Sequence, residues 1–249
     1  MTKSERSPLV AVRAHDVHVK YRVYEDQLFS ARSMFAGGFR SRKAVMVHAV
    51  RGLTFDIAVG EAVGIVGSNG SGKSTLLRAI AGLQSLETGH IGVRGEARLL
   101  GIAGALKPQL SGYRNVMLGG LAMGLERDAI ENSMTAIETF SGLGEAMARP
   151  MNTYSSGMRS RLLVSIATLR VPDVLLIDEA LAVGDREFRE RSLARINEIR
   201  DQAGTVVMVT HNLNEIRKTC SRVLWIDSGD LRQDGSVDDV LAAYEKHTT

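Results

Sequence analysis

One cysteine, Cys220, stands in a chain of 249 residues, so an internal disulfide is excluded. That leaves the redox compartment open, with a reducing cytosol favoured. No stretch approaches the ~20 consecutive apolar residues that a membrane-spanning helix needs. The start, Met1-Thr2-Lys3-Ser4-Glu5-Arg6-Ser7-Pro8, lacks the apolar core of a signal peptide. Action at a membrane would therefore need another chain to supply the membrane part. No long run of one charge sign occurs. A formal net charge of +3 and a pI of about 9.1 reflect a mild, mostly arginine excess, and no basic patch is interleaved with aromatics. A nucleic-acid partner gets little support. Internal repeats and low-complexity segments are also missing. What remains, 44% hydrophobic and 24% charged, is ordinary for a globular protein and long enough to bury a full core.

The most informative segment is Gly67-Ser68-Asn69-Gly70-Ser71-Gly72-Lys73-Ser74-Thr75. It follows the apolar run Ala62-Val63-Gly64-Ile65-Val66, which predicts a buried strand. It opens the helical pattern Thr75-Leu76-Leu77-Arg78-Ala79-Ile80-Ala81, stopped by Gly82. Strand, glycine-rich turn and helix form the context a phosphate-binding loop requires. The glycines let successive N–H groups converge on phosphate oxygens, and the helix start adds partial positive charge. Lys73 puts an ammonium on the terminal phosphates, worth roughly 4 kcal/mol at about 4 Å and an effective dielectric of ~20, before desolvation. The Ser74 hydroxyl suits Mg²⁺. The chain is expected to bind a nucleoside triphosphate.

Val174-Leu175-Leu176-Ile177-Asp178-Glu179 predicts a second buried strand ending in two carboxylates. In an α/β sheet ligands sit beyond the carboxyl ends of the strands. Asp178 suits Mg²⁺ coordination through water, and Glu179 suits orienting and deprotonating an attacking water. A solvated turn is the plain alternative for the pair taken alone. His211 follows a third apolar strand, Thr205 to Val209, and can contact a γ-phosphate there. Tyr154-Ser155-Ser156-Gly157-Met158 precedes a helix from about Met158 to Leu169. Its spacing fits an anion-binding helix start and a plain N-cap equally.

The remaining pattern predicts a half-exposed strand within Leu9 to Tyr24 and a polar insert, Glu25 to Lys43, with Phe29, Phe35 and Phe39 among arginines. The insert suits either a membrane- or transporter-facing helix or a solvated lobe. A strand pair is predicted at Ala44 to Val50 and Leu53 to Val59, and short strands near His90 to Val93 and Arg98 to Leu100. Residues 111–155 read as helices with Leu121, Met123, Leu125, Ile130, Met134, Ile137 and Phe140 towards a core. Beyond them come a helix from Arg186 to Arg200, a helix capped by Asn212, a strand at Arg222 to Ile226, a hairpin turn at Asp227-Ser228-Gly229-Asp230 and a last helix from near Ser236. The fold class is α/β: a P-loop NTPase core sheet with an N-terminal antiparallel β subdomain and a helical subdomain.

In this order the elements resemble the ATP-binding subunit of ABC transporters over nearly the whole chain. Gly67 to Thr75 is similar to the Walker A loop and Leu175 to Glu179 to the Walker B strand. Ser155-Ser156-Gly157-Met158 stands in the place of the signature sequence, and His211 in that of the switch histidine. Three segments resemble more closely the branch that exports lipid-linked polysaccharides such as O-antigen, teichoic acid and galactan. They are Tyr154 to Met158, Asp178-Glu179-Ala180-Leu181-Ala182-Val183-Gly184-Asp185 and Lys107 to Val116. The insert after the first strand fits the same branch.

The resemblance implies ATP and Mg²⁺, with Ser74 and Asp178 on the metal side and Glu179 and His211 in catalysis. It implies adenine stacking by Tyr21 and contact of Ser155, Ser156 and Gly157 with an ATP held by a second copy. Asp185 would lie at the contact between the copies. A head-to-tail dimer, a separate transmembrane permease and a peripheral place on the cytoplasmic face of the inner membrane follow from it. A single ABC ATPase domain over 1–249 is expected: residues 9–100 and 171–235 as core and antiparallel strands, 101–170 as the helical subdomain and 236–249 as the last helix. No C-terminal carbohydrate-binding domain is expected. The coupling-loop glutamine of most transporter ATPases is missing, with Ile102 or a neighbour in its place and Gln109 too far on. Other uses of the loop are a soluble ABC-type ATPase on nucleic acid or ribosomes, and a small-molecule kinase. The kinase would leave Ser155–Gly157 and His211 unexplained.

Overall fold

The structure, a computed structural model, describes residues 9–24, 44–100, 106–178 and 186–248. The expectations for the insert 25–43, Ile102, Glu179 and Asp185 fall outside these residues.

The chain opens with two long strands, β1 (Val10–Tyr24) and β2 (Ala44–Ala58), then β3 (Ala62–Val66), α1 (Lys73–Ile80), β4 (Thr88–Val93) and β5 (Ala97–Leu100). A helical stretch follows: α2 (Gly112–Ala122), α3 (Arg127–Ser141), two short 3₁₀ turns (Gly144–Ala148 and Met151–Thr153) and α4 (Ser156–Ala167). The last part alternates β6 (Val174–Asp178), α5 (Arg186–Gln202), β7 (Thr205–Val209), α6 (Leu213–Thr219), β8 (Arg222–Asp227), β9 (Asp230–Ser236) and α7 (Val237–Thr248).

Two sheets result. Strands β2-β1-β4 form an antiparallel sheet, and β5-β6-β7-β3-β8-β9 form a second in which all but β9 run parallel. Strands β3, β6 and β7 read as unbroken apolar runs because both of their faces are covered. On one face α1 lies between the two sheets: Leu76, Leu77 and Ile80 join Val17, Val19, Leu53 and Ile57 of the antiparallel sheet and Val63, Ile65 and Val207 of the parallel one. On the other face Ile196 and Ile199 of α5 cover Leu175 and Val206. Helices α2 to α4 pack around their own cluster, with Val116, Ile130, Ile137, Leu162 and Ile166 at its centre. Helices α6 and α7 close over β8 through Ile216, Val240 and Leu241. Among the described residues no helix is long and apolar enough to cross a membrane.

Three expectations change. The strand pair at Ala44 to Val59 is a single strand. Arg51-Gly52 reads as a turn, but Gly52 takes φ +68° and the strand continues along β1, with the Arg51 N–H held by the Gly229 carbonyl at 2.9 Å. Leu121, in the last turn of α2, is 45% exposed instead of core. Asn212 holds the N-cap position of α6 without a side-chain cap bond, and its N–H goes to the Thr210 hydroxyl at 3.1 Å.

Candidate functional site

The loop after β3 is built so that glycine is demanded at its two ends. A Cβ on Gly67 would lie 2.0 Å from the Ile226 carbonyl oxygen, and one on Gly72, at φ +104°, would lie 2.2 Å from that of Ala49. The loop is thereby pressed between β8 and β2. Two backbone bonds complete the clamp, Gly229 N–H to the Ser71 carbonyl at 3.0 Å and Arg51 N–H to the Gly229 carbonyl at 2.9 Å. Gly72 is also the N-cap of α1. No side chain caps this helix start and no acidic residue sits in its first turn. Its first N–H groups have no intrahelical acceptors, and its partial positive charge is not neutralised within the helix.

Lys73 is buried, and its ammonium donates to the carbonyls of Gly67 at 2.8 Å and Ser68 at 2.7 Å. These bonds offset the cost of burying the charge and curl the side chain over its own loop, from where it can pass to a phosphate oxygen. Ser71 is 2% exposed, and its hydroxyl has no hydrogen-bond partner among the described residues. An orphaned buried hydroxyl in a cradle of N–H groups is chemically suited to a phosphate oxygen. Ser68, Asn69, Gly70 and Ser74 are exposed along the loop, and Thr75 is partly buried.

Strands β6, β7 and β3 are neighbours, so their carboxyl ends open on one edge. Asp178 ends β6, His211 stands two residues beyond β7, and the loop follows β3. The Ser74 hydroxyl donates to Asp178 Oδ1 at 3.3 Å, across 104 positions of sequence. That oxygen pair fits a Mg²⁺ site of the kind completed by waters and substrate phosphates, where the protein supplies one or two ligands. Among the described residues no cluster of three His, Cys, Asp or Glu side chains could hold a metal on its own. A cleft of about 280 Å³ lined by Gly60, Glu61, Arg200, Lys218 and Thr219 lies at the opposite ends of β3 and β7 and includes no motif residue.

Ser155 is the N-cap of α4 and its hydroxyl accepts from Met158 N–H at 3.2 Å, so the plain-cap reading of this segment holds within the chain. Ser155 and Ser156 are exposed. Helix α4 belongs to the cluster of α2 and α3, and among the described residues no hydrogen bond ties Ser155, Ser156 or Gly157 to the loop at 67–75. Among the described residues a Cβ on Gly157 would meet only the Ser155 hydroxyl, at 3.9 Å, so none of them demands glycine there. Tyr154 anchors the helix start from below. It is buried, its hydroxyl donates to the Ala146 carbonyl at 2.6 Å, and burial holds its pKa above the ordinary tyrosine value. Tyr21 lies near the outer end of β1, opposite Val47 and 39% exposed.

Two elements of the site escaped the sequence reading. The hairpin turn at Gly229 braces the phosphate loop from 158 positions away, a link that no local spacing reveals. Asn115 is fully buried in α2. Its amide nitrogen donates to the carbonyls of Lys107, Leu110 and Ser111, and its oxygen accepts from Lys107 N–H, which fixes the segment entering α2. An asparagine inside an apolar helix was the available signal.

The profile of the ABC transporter family matches residues 50–182. The chain is 38% identical over 237 residues to the teichoic acids export ATP-binding protein TagH of Staphylococcus saprophyticus, covering 95% of this chain and 89% of that protein. It is 36% identical to TagH of Bacillus anthracis, over 94% of this chain and 42% of that one. It is 37% identical to the O-antigen export system ATP-binding protein RfbB of Myxococcus xanthus, over 94% and 53%. The chain thus spans about half the length of several curated relatives it matches, among them these last two. In fold it is similar to the ATP-binding subunit of an ABC transporter, with TM-score 0.69, 21% identity and coverage of 94% and 93%. It is also similar to an ATP-binding cassette in a dimeric post-hydrolysis state bound to ADP and Pi, with TM-score 0.65, 20% identity and coverage of 91% and 98%.

Proposed function

Because the chain belongs to the ABC transporter family, we propose that it hydrolyses ATP to power export of a lipid-linked polysaccharide through a separate membrane subunit. One observation carries the reading: a loop that presents Lys73 and the uncapped start of α1 beside the Ser74–Asp178 pair, all at one sheet edge. The relatives' names, teichoic acid and O-antigen export, support the polysaccharide branch over a soluble ATPase acting on nucleic acid or ribosomes.

In this reading Gly67 to Thr75 wrap the phosphate chain, Lys73 neutralises the terminal phosphates and Tyr21 stacks on the adenine. Ser74 and Asp178 hold Mg²⁺, Asp178 through water. When bound, that ion would neutralise charge on the β- and γ-phosphates. Glu179 takes a proton from the attacking water as its oxygen bonds to the γ-phosphorus and the bond to ADP breaks. His211 holds the γ-phosphate in line. Phosphoryl transfer depends mainly on positioning and charge neutralisation, so few side chains need take part in bond making.

Ser155, Ser156 and Gly157 act on the ATP of a second copy, and Asp185 lies where the copies touch. The sterically unforced Gly157 beside the exposed Ser155 and Ser156 supports this, since among the described residues nothing in the chain requires the missing side chain there. Binding of two ATP closes the head-to-tail pair, and hydrolysis opens it. The assembly would sit on the cytoplasmic face of the membrane through its permease, with no nucleic-acid partner. The test is the dependence of hydrolysis on protein concentration. Turnover per chain should fall steeply on dilution, and Glu179→Gln should retain ATP, lose turnover and accumulate as a dimer. Full-rate hydrolysis by isolated monomers would overturn the proposal.

A further inference from the structure

The outer arm of the β1–β2 ribbon has a problem of register. Pairing between the two strands is irregular at four places, one near the start between Val10 and Val12 and three in succession, between Ala14 and Val17, Val17 and Val19, and Val19 and Lys20. Beyond them Lys20 faces His48, Tyr21 faces Val47 and Arg22 faces Met46. A strand with a buried face is held in register by that burial, because a slip of one residue turns every side chain over. Up to Val19 and Val50 the ribbon has such a face. Further out Tyr21, Val45 and Met46 are 39%, 45% and 53% exposed, so among the described residues burial holds this part of the ribbon only weakly. A slip would move Tyr21 to the other face of the ribbon.

A polar relay spans the irregular stretch. His18 Nε2 lies 3.1 Å from Asp16 Oδ1, and His18 Nδ1 lies 3.1 Å from His48 Nε2, with the two rings stacked at 5.3 Å. Asp16 takes φ +47° and its N–H goes to the Thr54 hydroxyl, so the relay starts from a residue bound into β2. One residue past His48, Ala49 presses its carbonyl on Gly72 of the phosphate loop. The relay therefore links the phosphate loop to the arm that carries Tyr21.

We propose that His48 and His18 are positioning residues that lock Tyr21 in register for the nucleotide base, and that excess protonation opens the lock. This rests on the reading of Tyr21 as the base-stacking residue. The histidine pair keeps both of its hydrogen bonds with no added proton or with one: a single ring N–H points between the rings, and His18 Nε2–H points to the Asp16 carboxylate. A second added proton places N–H groups on both facing nitrogens, and the bond between the rings is lost. The charged groups around the pair are Asp16 and Lys20 on β1, Arg51 on β2 and Asp230 at the start of β9; on β4, Glu87 just before the strand pairs with Lys20. Burial, Lys20, His18 and Arg51 lower the His48 pKa below the ordinary value, against a smaller opposing effect of Asp230. The lock is therefore closed at neutral pH and opens as pH falls below the histidine range near ~6.5.

The test compares the affinities of the full chain for ATP and for inorganic tripolyphosphate, between about pH 7.5 and about pH 5 on either side of that range. Both ligands bring three phosphates, so their own titration largely cancels in the ratio. Wild type should prefer ATP at neutral pH and lose most of that preference in acid. His48→Ala should lose it at every pH, by roughly 5- to 100-fold as for one base–aromatic stack, with tripolyphosphate affinity kept. His48→Gln, which can still donate to His18 but cannot titrate, should keep the preference and lose its acid sensitivity. A wild type with no preference for ATP, or a Tyr21→Ala chain with an undiminished one, overturns the Tyr21 reading and the proposal with it. A preference abolished in Tyr21→Ala but unchanged in His48→Ala overturns the proposal alone.

Discussion

Alanine at Gly72 and alanine at Gly70 should behave very differently, although the two glycines lie two positions apart in one loop. Both have positive φ, +104° and +80°, and both substitutions pay a backbone penalty of about 1–2 kcal/mol. At Gly70 nothing lies within 4 Å of the new methyl, and the penalty ends there. At Gly72 the methyl would sit 2.2 Å from the Ala49 carbonyl oxygen, in backbone that Arg51 N–H ties to Gly229. Relief requires the loop and β2 to part by about an ångström, at an overpacking cost of about 1–3 kcal/mol more. Displacement on that scale in a site of this kind can cost about 100-fold in function. Urea unfolding should therefore place Gly72→Ala about 2–5 kcal/mol below wild type and Gly70→Ala about 1–2 below, with unchanged m. Equilibrium binding of a non-hydrolysable ATP analogue should be nearly lost in the first and only modestly reduced in the second. Equal stability and equal binding for the two variants would refute the clamp of β2 on the phosphate loop.

Asp178→Asn should raise the Mg²⁺ concentration needed for half-maximal hydrolysis by about tenfold or more, as for other groups that act on a metal through water. Metal-free nucleotide affinity, read by equilibrium dialysis, should change little. Cys220 is a partly buried thiol whose pKa burial pushes up to about 12. It stays protonated through neutral pH, so iodoacetamide should label it negligibly in the folded chain near pH 8 and fully in urea, as mass spectrometry would read. Tyr154→Phe removes the hydroxyl bond to Ala146 beneath the start of α4. It should cost about 1 kcal/mol in urea unfolding, with analogue binding by the chain's own phosphate loop unaffected.

The sequence made the parallel core legible where chemistry is local. Ala62–Val66 and Lys73–Ile80 follow from an apolar run, a glycine-rich turn and helical spacing, and Val174–Asp178 from an apolar run stopped by acids. The meeting of Ser74 with Asp178 was readable because each motif names its own end of a strand or helix. Pairing partners were not readable. Nothing near Ala97–Leu100 says that it joins β6, since short strands carry no mark of which sheet they enter. Gly52 split the predicted strand because glycine weakens a strand interior, and the sequence does not show that here it takes φ +68° and continues the strand. His18 and His48 are 30 positions apart and each looks like a surface histidine; only the irregular pairing of β1 and β2 brings their rings together.

The contact of Gly229 with Ser71 and Arg51 has a consequence for synthesis on the ribosome. The chain emerges from its amino end, so the glycine-rich turn and both long strands are present early, yet their brace follows 158 positions after Ser71. A nascent chain halted short of the final hairpin would carry every phosphate-binding residue and still lack a rigid cradle. Competence to hold nucleotide would thus switch on only once the β8–β9 hairpin has formed.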